Sequence, residues 1–257
     1  MKIIRIIPNL LIKDNFLVKG ENYNNHKYIG DIYNAVKIFS EKEAHEIILL
    51  DISARKKKKM FDINLIKKIK NEIFIPLTVG GGINNLDQAS ELIEQGVEKI
   101  SLNSVLNDNP KVVEKIAKKY GSQSVVANID VKKIQNTYKV FFNNGKIISN
   151  LILNDYIKSL ESLGIGEIIL TSIDCEGKRC GFDVNLYKSI ENLTSLPIVA
   201  NGGAADNSSF TDLFDQTNLS AAAAGSLFVF FGNRKAVLLN YPNNQTIKKL
   251  MYNYEYK

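Results

Sequence analysis

The chain has 257 residues, 45% of them hydrophobic and 23% charged, a balance ordinary for a soluble globule with one sizeable core. No apolar run reaches membrane-spanning length, and the opening Met1–Leu11, with Lys2 and Arg5 and no cleavage site of small residues, reads as a first strand and not as a signal peptide. The net charge of +6 gathers at Arg55-Lys56-Lys57-Lys58-Lys59, which reads either as a solvated loop or as a basic mouth for phosphorylated or acidic small molecules. Neither nucleic acid nor membrane is expected as a partner, since no aromatic stacking platform accompanies the basic run.

Taken in chain order, eight strands are predicted: Ile3–Asn9, Glu46–Asp51, Ile75–Val79, Lys99–Asn103, Ser124–Asp130, Glu167–Ser172, Pro197–Ala200 and Ser220–Ala224. Most are short, rich in Ile, Val and Leu, and bounded by turn residues. Helical stretches fill the intervals. Gly96 stops one at Leu86–Gln95. Asp108-Asn109 opens another, Pro110–Tyr120, with proline at its first position and Gly121 closing it. Thr137–Ser149 breaks the rhythm: it alternates around Asn144-Gly145, which predicts a β-hairpin inserted after strand 5. The residues from Arg234 read as a final helix with a break at Tyr241-Pro242.

The two halves of this pattern are copies. Glu46–Gly82 aligns with Glu167–Gly203 without a gap, 121 positions apart, so that Phe61 falls on Phe182, Asp62 on Asp183, Pro76 on Pro197, and Gly81-Gly82 on Gly202-Gly203. Each copy reads strand, loop, helix, strand, glycine turn, and is too long for a small solenoid unit. Two such copies make a closed array of alternating strands and helices. The predicted fold is a single (β/α)8 TIM barrel over residues 1–257, assembled from two half-barrels, with two equivalent anion sites on one rim.

Chemistry in such barrels sits at the carboxyl ends of the strands. Gly81 and Gly82 follow strand 3, and Gly202 and Gly203 follow strand 7; glycines let backbone N–H groups approach phosphate oxygens closely. Asn103 and Ser104 at the end of strand 4, and Gly225 and Ser226 at the end of strand 8, complete a cup on each side. One Gly-Gly alone is more simply a tight turn, but two at symmetric positions imply a ligand with a phosphate at each end. Asp51, Asp130 and Asp174 also end strands. Asp130 closes an apolar run, in the setting where a carboxylate pKa rises into working range. A helix cap is its bland alternative, disfavoured because a hairpin and not a helix follows. Ile129-Asp130-Val131-Lys132 matches Leu10-Leu11-Ile12-Lys13, so symmetry puts the partner of Asp130 at Leu11, which cannot transfer a proton. Asp14 is predicted to point outward, in the loop. Cys175 and Cys180, five apart in one loop, read as plain thiols of a reducing cytoplasm. No metal and no cofactor is implied, neither His26 nor His45 lying near them in sequence.

The opposite rim carries Arg5, Glu46, Lys99 and Glu167 at the starts of strands 1, 2, 4 and 6. Residues of one parity share a strand face. If Asn103 and Thr171 face a ligand inside the barrel, Lys99 and Glu167 face inward too, and two cations meet two anions at the bottom. Solvated strand starts are the alternative. Buried ions are a poor stability device, so a ring of them points to a gate or passage.

These residues together resemble the HisF-type barrel, the cyclase subunit of imidazole glycerol phosphate synthase, over essentially the whole chain. Arg5-Ile6-Ile7-Pro8, Pro76–Ile83, Ile100–Ser104, the Asp130 strand, Leu170–Asp174 with Gly177, and the second Gly-Gly carry the resemblance. It implies a cytoplasmic lyase or cyclase subunit of a glutamine amidotransferase complex that binds a bisphosphate. It further implies a HisH-like glutaminase docked on the N-terminal face, whose ammonia enters through Arg5, Glu46, Lys99 and Glu167. Asp130 is then the catalytic carboxylate, with Lys19, Asp51, Thr171 and Asp174 about the substrate. The departures are Leu11 where the family has a second catalytic aspartate, Asn9 where it has cysteine, Glu176 in its Asp-x-Asp-Gly, and Asn201 in its Ser-Gly-Gly.

A barrel with gate and cups but half an acid/base pair resembles paralogues that work with a second glutaminase and a sugar amidotransferase in making amidino sugars for surface polysaccharides. That is the leading reading. The alternatives are the histidine-pathway cyclase, operating with Asp130 and a substitute group, and a non-catalytic phosphate-binding scaffold.

Overall fold

Parallel strands buried on both faces are built from near-continuous apolar runs, and the barrel strands have that character. The computed structural model describes residues 4–57, 59–232 and 234–255; Lys2, and Lys58 of the basic run, lie outside them. In chain order the larger sheet contains β1 (Arg5–Lys13), β2 (Phe16–Glu21), β3 (Asn24–Gly30), β4 (Ile47–Asp51), β5 (Leu77–Gly80), β6 (Lys99–Leu102), β7 (Val125–Ile134), β8 (Thr137–Phe142), β9 (Ile147–Ile152), β10 (Glu167–Ser172), β11 (Ile198–Asn201) and β12 (Ala221–Ala224). Strands β1, β4, β5, β6, β7, β10, β11 and β12 pair in parallel, each with its neighbour, and β12 returns to β1. With helices between them, they form a closed (β/α)8 barrel.

The repeat seen in the sequence is a repeat of structure. Asp62 and Asp183 each cap the helix that follows, accepting from the backbone N–H of Asn64 and Leu186. The buried Phe61 and Phe182 precede them. Helix Pro110–Tyr120 buries Val112, Val113 and Ile116 and ends at Gly121, whose φ of +87° suits glycine. Most of the core lies between sheet and helices. A smaller cluster, Ile7, Ile48, Val126, Ile169, Val199, Ala221 and Ala223, fills the middle of the barrel.

Two strands run on beyond the barrel, at symmetric positions. The hairpin predicted over Thr137–Ser149 is present as β8 and β9, three residues longer, and β8 also pairs back on the extended β7. The other arm has no counterpart among the predicted elements. Strand β1 continues to Lys13, turns at Asp14-Asn15, and pairs with β2, which pairs with β3. Asp14 and Asn15, like Gln135 and Asn136 after β7, have positive φ, as the two-residue turns that match strand twist require.

The C-terminal segment corrects its prediction. Arg234 does not open a helix: Ala236–Val237 pairs with Phe230–Phe231, and the helix is confined to Asn244–Glu255. Tyr241-Pro242 lies just before that helix instead of breaking it. The Tyr241 hydroxyl donates to the carbonyl of Ile6 at 2.8 Å, tying the segment to β1.

Candidate active site at the carboxyl rim

Strand register decides which side chains meet. Leu11 lies opposite Leu50, and Asp130 opposite Thr171. Leu50 and Thr171 are 121 positions apart, the repeat interval, so Leu11 does occupy the position equivalent to Asp130. The Leu11 side chain is buried and lines the same cavity as Asp130. Asp14 does not replace it: Asp14 is exposed in its turn, 2.5 Å from the Lys57 ammonium.

Asp130 is buried, and burial pushes its carboxyl up to about 6, against the opposing pull of two hydrogen bonds. The Tyr23 hydroxyl donates to Oδ1 at 2.5 Å, and the Asn103 side-chain amide to Oδ2 at 3.1 Å. Asn103 also donates to the carbonyl of Asn128 at 2.8 Å. Its amide is therefore turned to Asp130, and Gly81, Gly82 and Ser104 line the rest of that cup. Thr171 is buried beside them and accepts from the Asn201 amide at 2.9 Å.

The two glycine turns enclose unequal spaces. Gly81 and Gly82 border the larger, solvent-open cavity, which also meets Asp130, Ser104 and Arg55. Gly202, Gly203, Gly225 and Ser226 border a much smaller one. The glycines are sterically required. A Cβ at Gly82 would come within 2.2 Å of the Lys59 carbonyl oxygen, and one at Gly203 within 2.0 Å of that of Gly181; both have positive φ. Into the smaller cup reaches Lys19, ion-paired with Glu176, both side chains buried.

Two of the remaining site positions are engaged elsewhere. Asp51 lines the larger cavity, but its Oδ1 accepts from Ser53 and from the backbone N–H of Ala54, capping the short helix Ala54–Lys57. Asp174 accepts from the backbone N–H of Lys133 at 2.8 Å and borders neither cavity. The carboxylate of that loop which reaches both cavities is Glu176. The basic run is partly neutralised, Arg55 lying 3.2 Å from Asp108.

At the other end of the barrel, Arg5, Glu46, Lys99 and Glu167 form a closed ring of alternating charge. Arg5 meets Glu46 at 2.9 Å and also pairs with Glu167; Lys99 meets Glu46 at 3.0 Å and Glu167 at 2.8 Å. Thr78 donates to the free oxygen of Glu46 at 2.6 Å. The carboxylates are 4% and 8% exposed, the cations 25% and 20%. Burial works against the Glu167 anion, but Arg5 and Lys99 outweigh it and hold its carboxyl below the usual range. Above the ring, Asn9 Oδ1, Ser101 Oγ and Asn128 Oδ1 are buried with no hydrogen-bond partner among the described residues. All three residues line the large cavity, so polar atoms extend from the barrel interior toward Asp130.

Tyr23 and Glu176 were not singled out as site residues in the sequence. Tyr23 sits at a hairpin tip, where no strand parity tells which way a side chain points. Glu176 was visible only as a departure from the Asp-x-Asp-Gly pattern.

The fold and site define a class: a (β/α)8 barrel with two glycine-lined cups around a buried carboxylate, and a neutral ion ring closing its far end. The chain belongs to the family of histidine biosynthesis proteins, whose model matches residues 5–234. It is 45% identical over 241 residues, 93% of this chain and 95% of the relative, to a protein of Leptospira borgpetersenii provisionally named imidazole glycerol phosphate synthase subunit HisF. It is 42% identical, over 93% of this chain and 96% of the relative, to a protein of Pseudomonas aeruginosa provisionally named as subunit hisF2 of the same synthase. Against the imidazole glycerol phosphate synthase subunit HisF of a Hydrogenobaculum strain the identity is 41%, over 88% of this chain and 90% of that one. No helix among the described residues is long and apolar enough to cross a membrane.

Proposed function

We propose that this barrel is the cyclase-type subunit of a glutamine amidotransferase complex. A HisH-like glutaminase docks on the N-terminal face, and ammonia passes the charged ring to react with a bisphosphate held over Asp130. The observation that carries the reading is the ring. Four charges that nearly neutralise one another stand at a site costly to desolvate, at the end of the barrel opposite the buried carboxylate. A small neutral molecule needs only one corner of the ring to yield: Lys99, a single ammonium on a flexible stem, can swing aside while Arg5 still pairs with both Glu46 and Glu167. The raised pKa of Asp130 suits a general base near neutral pH. The two cups suit the two phosphates, the smaller one through Lys19, Gly202, Gly203, Gly225 and Ser226.

The names of the relatives favour the histidine-pathway cyclase over the amidino-sugar reading; none mentions a sugar. A single observation keeps the second reading in view. Leu11 stands at the position symmetric with Asp130 and deprives the site of a carboxylate pair, as in paralogues serving a sugar amidotransferase. Purified protein given ammonium and the family's bisphosphate substrate distinguishes the two. Turnover comparable to that of a HisF subunit with both aspartates supports the cyclase. Loss of about a hundred-fold or more, the usual effect of removing one proton-transfer group, supports the sugar-pathway reading.

A further inference from the structure

The tip of the β2–β3 hairpin is Asn22-Tyr23, and both residues have positive φ, 47° and 65°. Asparagine accepts that conformation readily; tyrosine does so rarely, because its Cβ crowds the following carbonyl. A turn built for stability alone favours Asn-Gly here. Strain of this kind persists where the surroundings enforce it, and it clusters at functional sites. The enforcement is visible. The ring of Tyr23 lies beneath the tip of the other arm, where a Cβ added to Gly145 would come within 3.0 Å of its Cδ2. The Asn144 amide anchors that tip to the carbonyl of Ile52 at 3.0 Å. Below, the half-buried Tyr23 donates its phenol hydroxyl to Asp130 Oδ1 at 2.5 Å.

We propose that Tyr23 is the proton partner of Asp130, supplying from a hairpin tip the group that Leu11 cannot supply from β1. This rests on the reading of the site as one where ammonia condenses with a carbonyl carbon. As nitrogen bonds to carbon, Asp130 takes a proton from nitrogen and Tyr23 gives its own to the carbonyl oxygen. The proton on Asp130 then crosses the short contact to the phenolate, so the pair returns to its starting state. Elimination of the oxygen as water repeats the transfer, moving a second proton from nitrogen to oxygen.

The surroundings support these roles. The phenol's own pKa is raised by burial first and then by Asp130, so Tyr23 rests protonated, as a donor must. Asp130 rests ionised at neutral pH, as a base must. The other groups facing the pair are Asn103, which donates to Asp130 Oδ2, and Thr171 and Glu176 beside the phenol. Glu176 is neutralised by Lys19, and His26 on β3, lining the same cavity, is held toward its neutral form by burial and by Lys13 and Lys19. Tyr23 is thus the hydroxyl proton donor in contact with the Asp130 carboxylate.

The test is Tyr23→Phe, which keeps the ring under Gly145 and removes only the hydroxyl. The Asp130 carboxyl is titrated by carbon NMR in both proteins, a readout that needs no turnover. Loss of the donor destabilises the anion, so the carboxyl must titrate above its wild-type value; an unchanged titration overturns the proposal. Turnover with ammonium and the bisphosphate is then measured across pH. Where the wild type turns over, Tyr23→Phe lowers kcat about a hundred-fold or more, moves the acid limb of the profile to higher pH, and leaves KM nearly unchanged. Leu11→Asp recovers part of the loss. A Tyr23→Phe protein with wild-type kcat overturns the proposal. A wild type without turnover on this substrate sinks the cyclase reading alone, and the titration still decides on Tyr23.

Discussion

Replacing Lys99 by methionine keeps an unbranched stem, one atom shorter, and removes the charge. Two carboxylates, 4% and 8% exposed, are then left to share Arg5. Breaking a buried pair by deleting one partner costs about 3–5 kcal/mol. Lys99 is one-fifth exposed and Arg5 still reaches both glutamates, so about 2–3 kcal/mol is the appropriate figure. For a chain of this size that lowers Tm by about 4–12 °C. The sign with pH follows from Glu167. Its folded pKa is lowered although burial alone would raise it, because Arg5 and Lys99 outweigh the desolvation. Its stabilising contribution is therefore fully present above the unfolded carboxylate range, about 4.3. It is lost as pH falls through the lower folded value. The Tm difference between wild type and Lys99→Met should be widest from about pH 6 to 8 and shrink below about pH 4, where the variant's surplus carboxylate protonates. Thermal scans over that range measure it. Equal Tm values at pH 7, or a gap that persists undiminished in acid, would refute the claim that these charges are buried partners.

Inorganic phosphate should bind first at Gly81, Gly82 and Ser104, where the space is larger, and Gly82→Ala should abolish that binding and cost several kcal/mol, since its Cβ meets the Lys59 carbonyl oxygen at 2.2 Å; calorimetry and crystals soaked in phosphate check both. Asp130→Asn should stabilise the protein above pH 7 by about 1–3 kcal/mol, because a carboxyl raised to about 6 by burial withdraws stability as pH climbs from about 4 through 6. The gain should vanish near pH 4, and denaturant titrations at the two pH values would expose a gain of the wrong sign.

What was legible in the sequence follows from what repeats. The barrel could be read because the 121-residue interval carries caps, core aromatics and glycine turns together. The same symmetry located Leu11, since parallel strands of one barrel share a register. Strand parity brought Lys99 and Glu167 inward together, and Arg5 and Glu46 joined them as the charged starts of two further strands. The first arm was not legible: β3 is mostly exposed, so no apolar alternation marks it. Its tip carries Tyr23 where a recognisable turn would have glycine. In the loop after β10 parity gives out, and Asp174 and Glu176 could not be told apart by spacing. Only the folded loop turns Asp174 to the Lys133 backbone and Glu176 to Lys19.

The proposed function joins an ammonia entrance at one end of the barrel to a proton-transferring site at the other. The measurement that bears on it most directly is a ratio, product formed from glutamine against product formed from added ammonium, with the cognate glutaminase bound. It is compared for wild type and Lys99→Ala. Glutamine hydrolysis should remain largely intact in the variant, while its glutamine-driven product falls well below its ammonium-driven product because ammonia escapes at the opened ring. A ratio identical in the two proteins, whether both activities fall together or neither changes, would contradict passage through the barrel.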